Sequence, residues 1–233
     1  MKIALIGYGK MGKIIEKISI IRGHQIVAKI EKKLTKNKLN HPDVVIEFTE
    51  PNVAYENIKF CIDYKIPVVS GTTGWTKYLS KIQNYCLEKE GAFIYSSNFS
   101  LGMNIFFEIN KKVAKIIKKQ FNYLVKIEET HHLEKKDMPS GTAISLANDL
   151  IKEYKFNKWI INQNSNSDIL GIFSKRKNNI IGDHKVIFSS KEDNITIHHS
   201  AKNREGFALG AVIAAEFLFK KIGVFTMKDV LNI

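Results

Sequence analysis

The sequence predicts an α/β chain: a doubly wound parallel sheet, Rossmann-like in its first turn, followed by a smaller α+β region with a mixed sheet. Short apolar runs alternate with helical periodicity from Lys2 to Tyr95. A glycine-rich turn follows the first of these runs. Beyond Gln120 the rhythm changes, and strand candidates succeed one another across hairpin-like gaps.

Lys2 to Ile6 (KIALI) is a continuous apolar run of the kind a buried parallel strand requires. Ile14, Ile15, Ile18 and Ile21 then mark one side of a helix that ends near Gly23, and Gln25 to Ile30 reads as the second strand. Asp43 to Phe48 is a third strand, and Pro51 suits the first turn of a helix running to about Tyr64. Pro67 to Ser70 is the fourth strand, Thr76 to Lys89 a helix, and Ala92 to Tyr95 the fifth strand. Met103 to Gln120 is a long helix candidate, and Tyr123 to Thr130 alternates like a half-buried strand. A helix opens at Ser140-Gly141-Thr142. The polar, Asn-rich stretch Lys158 to Asp168 reads as a loop; strands are expected at Ile169 to Ser174, Ile180 to Ser189 and Asn194 to Ala201. Phe207 to Phe219 is a closing apolar helix, followed by a short tail.

The 233 residues carry Lys+Arg 36 against Asp+Glu 23, a net charge of +13. The arginines are Arg22, Arg176 and Arg204, and the lysines are spread along the whole chain. A nucleic-acid partner calls for a concentrated, Arg-rich patch, so none is expected; the charge instead favours small anionic ligands. No apolar run approaches membrane-spanning length and no signal-like segment precedes the first strand, so a cytoplasmic protein without membrane contact is expected. Cys61 and Cys86 form no CxxC pair and read as buried, reduced core residues. No paired Cys/His spacing or HExxH run calls for a metal.

Gly7-Tyr8-Gly9-Lys10-Met11-Gly12 lies between the first strand and the first helix, the context that makes GxGxxG a dinucleotide fingerprint. Gly7 permits the turn, Gly9 lets the backbone approach a pyrophosphate, and Gly12 lets helix and sheet pack closely. Glu31 ends the second strand, where an acid accepts ribose hydroxyls; Lys32 and Lys33 follow and would suit a 2′-phosphate. Both NADH and NADPH therefore stay open. Gly71-Thr72-Thr73 and Ser97-Asn98-Phe99-Ser100 follow parallel strands at the edge where open α/β sheets bind ligands, although alone each is ordinary turn chemistry.

Glu128 to Thr142 reads EETHHLEKKDMPSGT. It joins two histidines and a lysine, able to move protons, to a helix start able to hold an anion. Ser140 there is also a good N-cap, and both roles can hold together.

Taken in order, GYGKMG (7–12), EFTEP (47–51), GTTGW (71–75), SNFSLGMN (97–104), EETHHLEKKDMPSGTA (128–143), IIGDH (180–184) and KNREGFALGA (202–211) resemble the 4-hydroxy-tetrahydrodipicolinate reductase (dihydrodipicolinate reductase) family of lysine and diaminopimelate biosynthesis. The resemblance covers almost the whole chain, and the HHxxKxDxPSGTA block is its most specific part. It implies reduction of a cyclic imine dicarboxylate with NADH or NADPH. His131 and Lys135 match the catalytic positions; His132, Gly141 and Thr142, with Ser140 at the same helix start, match the binding of the ring carboxylates. Gly7 to Gly12, Glu31 with Lys32, Gly71 to Thr73 and Ser97 to Ser100 match dinucleotide contacts, and Arg204 an arginine near the cofactor side. Leu133 and Glu134 depart from the Arg and His of some relatives, and 176–179 from a common Gly-Asp pair. The stretch between Glu31 and Asp43 is short, lacking a strand and helix of longer relatives.

The architecture this implies is a dinucleotide-binding domain from 1–101 and 205–233, a substrate and oligomerisation domain from 102–204, and a homotetramer. Closure between the domains is expected to bring His131 and Lys135 toward the nicotinamide. A nucleotide sensor without turnover, or a dehydrogenase for another small acid, are the competing readings.

Overall fold

The computed structural model describes residues 1–31, 34–120, 123–154 and 156–233. In chain order the elements are β1 (Lys2–Ile6), α1 (Lys10–Ile21), β2 (Gln25–Ile30), α2 (Lys36–Leu39), β3 (Val44–Glu47), α3 (Pro51–Asp63), β4 (Val68–Ser70), a 3-10 turn (Thr76–Tyr78) leading into α4 (Leu79–Glu88), and β5 (Ala92–Tyr95). Then come α5 (Leu101–Gln120), β6 (Leu124–His131), α6 (Gly141–Tyr154), β7 (Lys158–Ile161), β8 (Ile169–Arg176), β9 (Asp183–Ser189), β10 (Asn194–Ser200), α7 (Glu205–Leu218), β11 (Gly223–Phe225) and α8 (Met227–Leu231). Two compact units result, Met1–Leu101 with Arg204–Ile233, and Gly102–Asn203.

The first unit is a six-stranded sheet in the order β11-β5-β4-β3-β1-β2, parallel throughout. Alternation along each strand splits its side chains between two cores. Ile3, Leu5, Val44, Ile46 and Ile94 face α1 and α7; Ala4, Ile6, Val45, Val68 and Phe93 face α3 and α4. This is why these strands are apolar without a break. Helix α7 approaches the backbone closely because its inner face is Ala208, Gly210, Ala211, Ala214 and Ala215. A Cβ at Gly210 would lie 1.8 Å from the Phe99 carbonyl oxygen. The chain leaves β1 toward β2 on one side and returns to β3 on the other, so a topological switch point opens at the carboxyl end of β1.

The second unit is a five-stranded mixed sheet, β10-β9-β6-β8-β7. β6, β8 and β7 run parallel; β9 is antiparallel to both β6 and β10. Its core sets Val125, Ile127, Leu170, Ile172, Val186 and Phe188 against Met103, Phe106, Ala114 and Ile117 of α5 and Ala143, Leu146, Ala147 and Leu150 of α6.

The structure corrects three details of the sequence reading. The segment expected as a loop at 158–168 begins with an edge strand, β7, paired to β8. The strand expected from Ile180 starts at Asp183, and the closing tail holds a strand, β11, and a short helix, α8. In the short segment after Glu31, one helical turn (α2) inserts Leu39 into the core beside Ile30. Among the described residues no helix is long and apolar enough to cross a membrane.

Candidate active site

The first unit carries a nucleotide-shaped turn. Gly7 sits at φ +90° and its N–H donates to the Ile30 carbonyl at 2.8 Å. A Cβ there would meet the Phe48 oxygen at 1.9 Å, so β1, β2 and β3 close around a residue that must be glycine. A Cβ at Gly12 would lie 2.4 Å from the Gly7 oxygen, which couples the first turn of α1 to the loop. Gly9 is the opposite case: it caps α1, bears no side-chain cap, and has nothing within 4 Å of where a Cβ would be. Open space before uncapped helix N–H groups suits a pyrophosphate. Lys10 and Met11 occupy the first turn behind it. The Tyr8 hydroxyl is tied back to Glu16 and Lys29, which keeps its ring at the turn.

A cavity of about 1000 Å³ extends from this turn, lined by Gly7, Tyr8, Gly9 and Glu31 with Leu34 and Val53 among others. Its size and mixed lining suit an adenosine moiety. Lys32 lies outside the described residues. Gly71-Thr72-Thr73 and Ser97-Asn98-Phe99-Ser100 follow β4 and β5 and are not part of that lining. Thr73 and Ser97 are exposed and Asn98 is half-buried, its side chain accepting the Ser100 N–H at 2.9 Å. The Phe99 ring is buried against Phe48, so only its backbone is offered to a ligand.

Beneath these loops is Glu47, fully buried at the end of β3. It accepts hydrogen bonds from Ser70 at 2.6 Å, Thr72 at 2.7 Å, and both the amide and the hydroxyl of Thr49. The sequence reading missed this role; the signal was a carboxylate closing an otherwise apolar strand.

The second unit holds the proton-bearing groups. On β6 the inward residues are Val125, Ile127, Glu129 and His131, so a carboxylate and an imidazole continue the row of core side chains. Strand register sets Glu129 opposite His184 on β9 and Ser174 on β8, His131 opposite Arg176, and His184 opposite His199 on β10. The Glu129 carboxylate is fully buried and accepts the Ser140 N–H at 3.0 and 3.2 Å and the Ser174 hydroxyl at 2.5 Å; the Arg176 guanidinium is 3.8 Å away. Burial opposes its ionisation, but His184, Ser140 and Ser174 outweigh that and hold its pKa down to about 2. His131 is 6% exposed, and burial first, then the neighbouring His184, lowers its pKa to about 4. The rings of His131 and His184 meet edge to face, centroids 4.9 Å apart.

Ser140 caps α6: its hydroxyl accepts the Ala143 N–H at 3.1 Å and lies 3.2 Å from His184 Nε2. This buried hydroxyl is committed to the cap. Gly141, by contrast, is exposed with open space before it, and Thr142 is half-buried beside it. Lys135 Nζ donates to both Asp137 oxygens at 2.8 and 3.0 Å. Burial raises the Asp137 pKa, and Lys135 and the Gly141 amide together lower it further than that. Ammonium, carboxylate and open helix start thus share one small region. Arg176 pins the loop from behind, donating to the carbonyls of Lys135 at 3.2 Å and Asp137 at 2.5 Å. His132 is half-buried at the loop's start.

Donor atoms of Glu129, His131 and His184 lie within 4.8 Å of one another. The set fits a metal poorly, because three hydrogen bonds already use the carboxylate and a guanidinium stands beside it.

Family comparisons agree with both halves of this arrangement. Residues 1–99 match the model for the N-terminus of dihydrodipicolinate reductase, and residues 102–231 that for its C-terminus. The chain belongs to the dihydrodipicolinate reductase family. It is 48% identical to the 4-hydroxy-tetrahydrodipicolinate reductase of Christiangramia forsetii, across 100% of this chain and 98% of that protein. The enzyme of the same name from Thermosipho africanus is 36% identical over the same shares. Among solved structures, the dipicolinate-bound dihydrodipicolinate reductase from Paenisporosarcina sp. TG-14 superposes with a TM-score of 0.79 at 20% identity, covering 97% of each chain, which shows the shared fold. In this family the N-terminal region is the NAD(P)-binding one, in keeping with the uncapped α1 start and open Gly9.

Proposed function

We propose that this chain carries out the NAD(P)H-dependent reduction of 4-hydroxy-tetrahydrodipicolinate, by way of dihydrodipicolinate, to tetrahydrodipicolinate in the diaminopimelate route of lysine biosynthesis. The observation that carries the mechanism is the Lys135 ammonium held beside the open start of α6. Gly7 to Gly12 would hold the pyrophosphate, Glu31 would meet the adenosine ribose, and the 71–73 and 97–100 loops would border the nicotinamide. When bound, the reduced nicotinamide supplies the hydride that reduces the ring's imine carbon.

The start of α6 at Gly141 and Thr142, with the Thr142 hydroxyl and His132, takes the ring carboxylates. Ser140 contributes by capping the helix that presents them. Lys135 neutralises charge developing on the ring nitrogen and delivers its proton there. His131, buried beside the loop, governs the charge balance at that point.

The test is a coupled assay in which pyruvate and aspartate semialdehyde feed the upstream synthase and oxidation of NADH and of NADPH is followed separately. Lys135→Ala is expected to lower kcat by roughly 10²- to 10⁴-fold with dinucleotide binding intact. Tight dinucleotide binding by the wild type without turnover would instead mark a sensor.

The proposal extends to a cytoplasmic homotetramer formed through the second unit. Its support is the exposed edge strand β10 with Ile195, and the exposed Ile105, Ile109 and Ile116 on α5. Light scattering should give about four times 26.6 kDa; a monomer mass would remove this part.

A further inference from the structure

His131 raises a question that its burial sharpens. Its Nδ1 is buried with no hydrogen-bond partner, and the Glu129 Oε2 faces it at 3.5 Å. A buried ring nitrogen left unpaired is costly, and a carboxylate is the strongest acceptor the fold can offer it. The other nitrogen, Nε2, lies on the side of Gly182, where the missing side chain leaves room: a Cβ there would stand 3.2 Å from it. Glu129 itself cannot swing toward or away from the ring, because Ser140 and Ser174 hold both its oxygens.

We propose that Glu129 is the positioning residue of His131: its carboxylate keeps the ring proton on Nδ1 and leaves Nε2 as a bare acceptor. This rests on reading His131 as part of the reductase site. Which nitrogen of a histidine carries the proton is set by the bond its other nitrogen makes. The charged and titratable groups around the ring are Glu129 from β6, Lys135 from the following loop, Arg176 from β8 and His184 from β9. Three of these are cationic or can become so, and they oppose a second proton on His131. Glu129 therefore fixes where the single proton sits without making the ring an imidazolium. The consequence is a division of labour. At neutral pH His131 can accept a hydrogen bond or a proton at Nε2 but has none to give there, and Lys135 is left as the donor.

The test reads the ring directly. Long-range ¹H–¹⁵N correlation spectra of the full-length wild-type protein at pH 7 report the tautomer of each histidine, and the signal lost in His131→Gln assigns the one in question. A dominant Nδ1–H form is expected; a dominant Nε2–H form or an imidazolium overturns the proposal. In Glu129→Gln the Nδ1–H preference should be lost and kcat should fall about 10- to 100-fold, the scale of a removed orienting partner. Glu129→Asp should restore the tautomer in part. Retention of the wild-type tautomer in a folded Glu129→Gln protein also overturns the proposal. Because Glu129 tethers Ser140 as well, the wild-type spectrum carries the test even where the variant does not fold. None of these spectra depends on turnover, so failure of the reductase reading would be seen separately, in the coupled assay.

Discussion

At the scale of single residues, Glu129 and His131 make the second unit sensitive to acid. Glu129 titrates near 2 instead of 4.5, so its stabilisation is complete above the unfolded value and is lost as pH falls from about 4.5 toward 2. His131 titrates near 4 instead of 6.5, and the unfolded chain takes up that proton first. Its neutral burial thus favours the fold above the unfolded value, and that contribution declines as pH falls from about 6.5 to 4. His199, lowered mainly by burial, adds to the same slope. Unfolding free energies from urea titrations should therefore be flat between pH 7 and 8 and fall below 6.5, by at most about 1.4 kcal/mol per pH unit per group. His131→Gln should flatten the part between 6.5 and 4. An unchanged slope in that variant would mean that other groups set it.

At the scale of elements, the start of α6 is where the fold and the site depend on each other. Ser140 caps the helix through its hydroxyl and ties it to β6 through its amide. Ser140→Ala removes the cap but leaves the amide tether, so a loss of roughly 1–2 kcal/mol is expected from urea unfolding. KM for the dicarboxylate should rise more than kcat falls, since the Gly141 and Thr142 N–H groups lose their fixed direction. A larger drop in kcat than in binding would argue that the hydroxyl itself takes part in chemistry. The same region shows what a linear reading can and cannot reach. β1 to β5 were legible because strands buried on both faces must be apolar throughout. Gly7 and Gly9 were legible because a tight turn and an open approach leave glycine as the fitting residue. β7 and β11 were not, since short edge strands of three or four residues owe their existence to pairing with β8 and β5. The cluster around His131 was half legible. The histidines and Lys135 are neighbours in sequence, whereas Ser174, Arg176 and His184 reach Glu129 only through the register of β8 and β9. What could have been read was the alternation of β6, which sets Glu129 and His131 on the same face as Val125 and Ile127.

At the scale of the whole molecule, two electrostatic facts pull in opposite directions. The chain carries +13, which should attract any anionic ligand, while the cavity beside the glycine turn is lined by Glu31, Glu50, Glu56 and Asp63. Lys59 in the same lining is already bonded to Asp63 at 2.7 Å. A dinucleotide's pyrophosphate lies at the helix start and escapes this acidity, but a 2′-phosphate would add close to two negative charges beside Glu31. NADH is therefore expected to be the better cofactor, by about tenfold in kcat/KM, the worth of one unfavourable contact of about 1.4 kcal/mol. Salt distinguishes this cause from simple shape. Both the general attraction and the local repulsion are screened as the Debye length shrinks from about 10 Å at 0.1 M toward 3 Å at 1 M. Raising potassium chloride should therefore lower kcat/KM for the dicarboxylate, while the preference for NADH over NADPH narrows as the repulsion from Glu31 is screened. Glu31→Gln should narrow it in the same direction at low salt and weaken its dependence on further salt. A preference for NADPH at low salt, or one for NADH that widens with salt, would show that cationic groups near Glu31 dominate the carboxylates of the cavity.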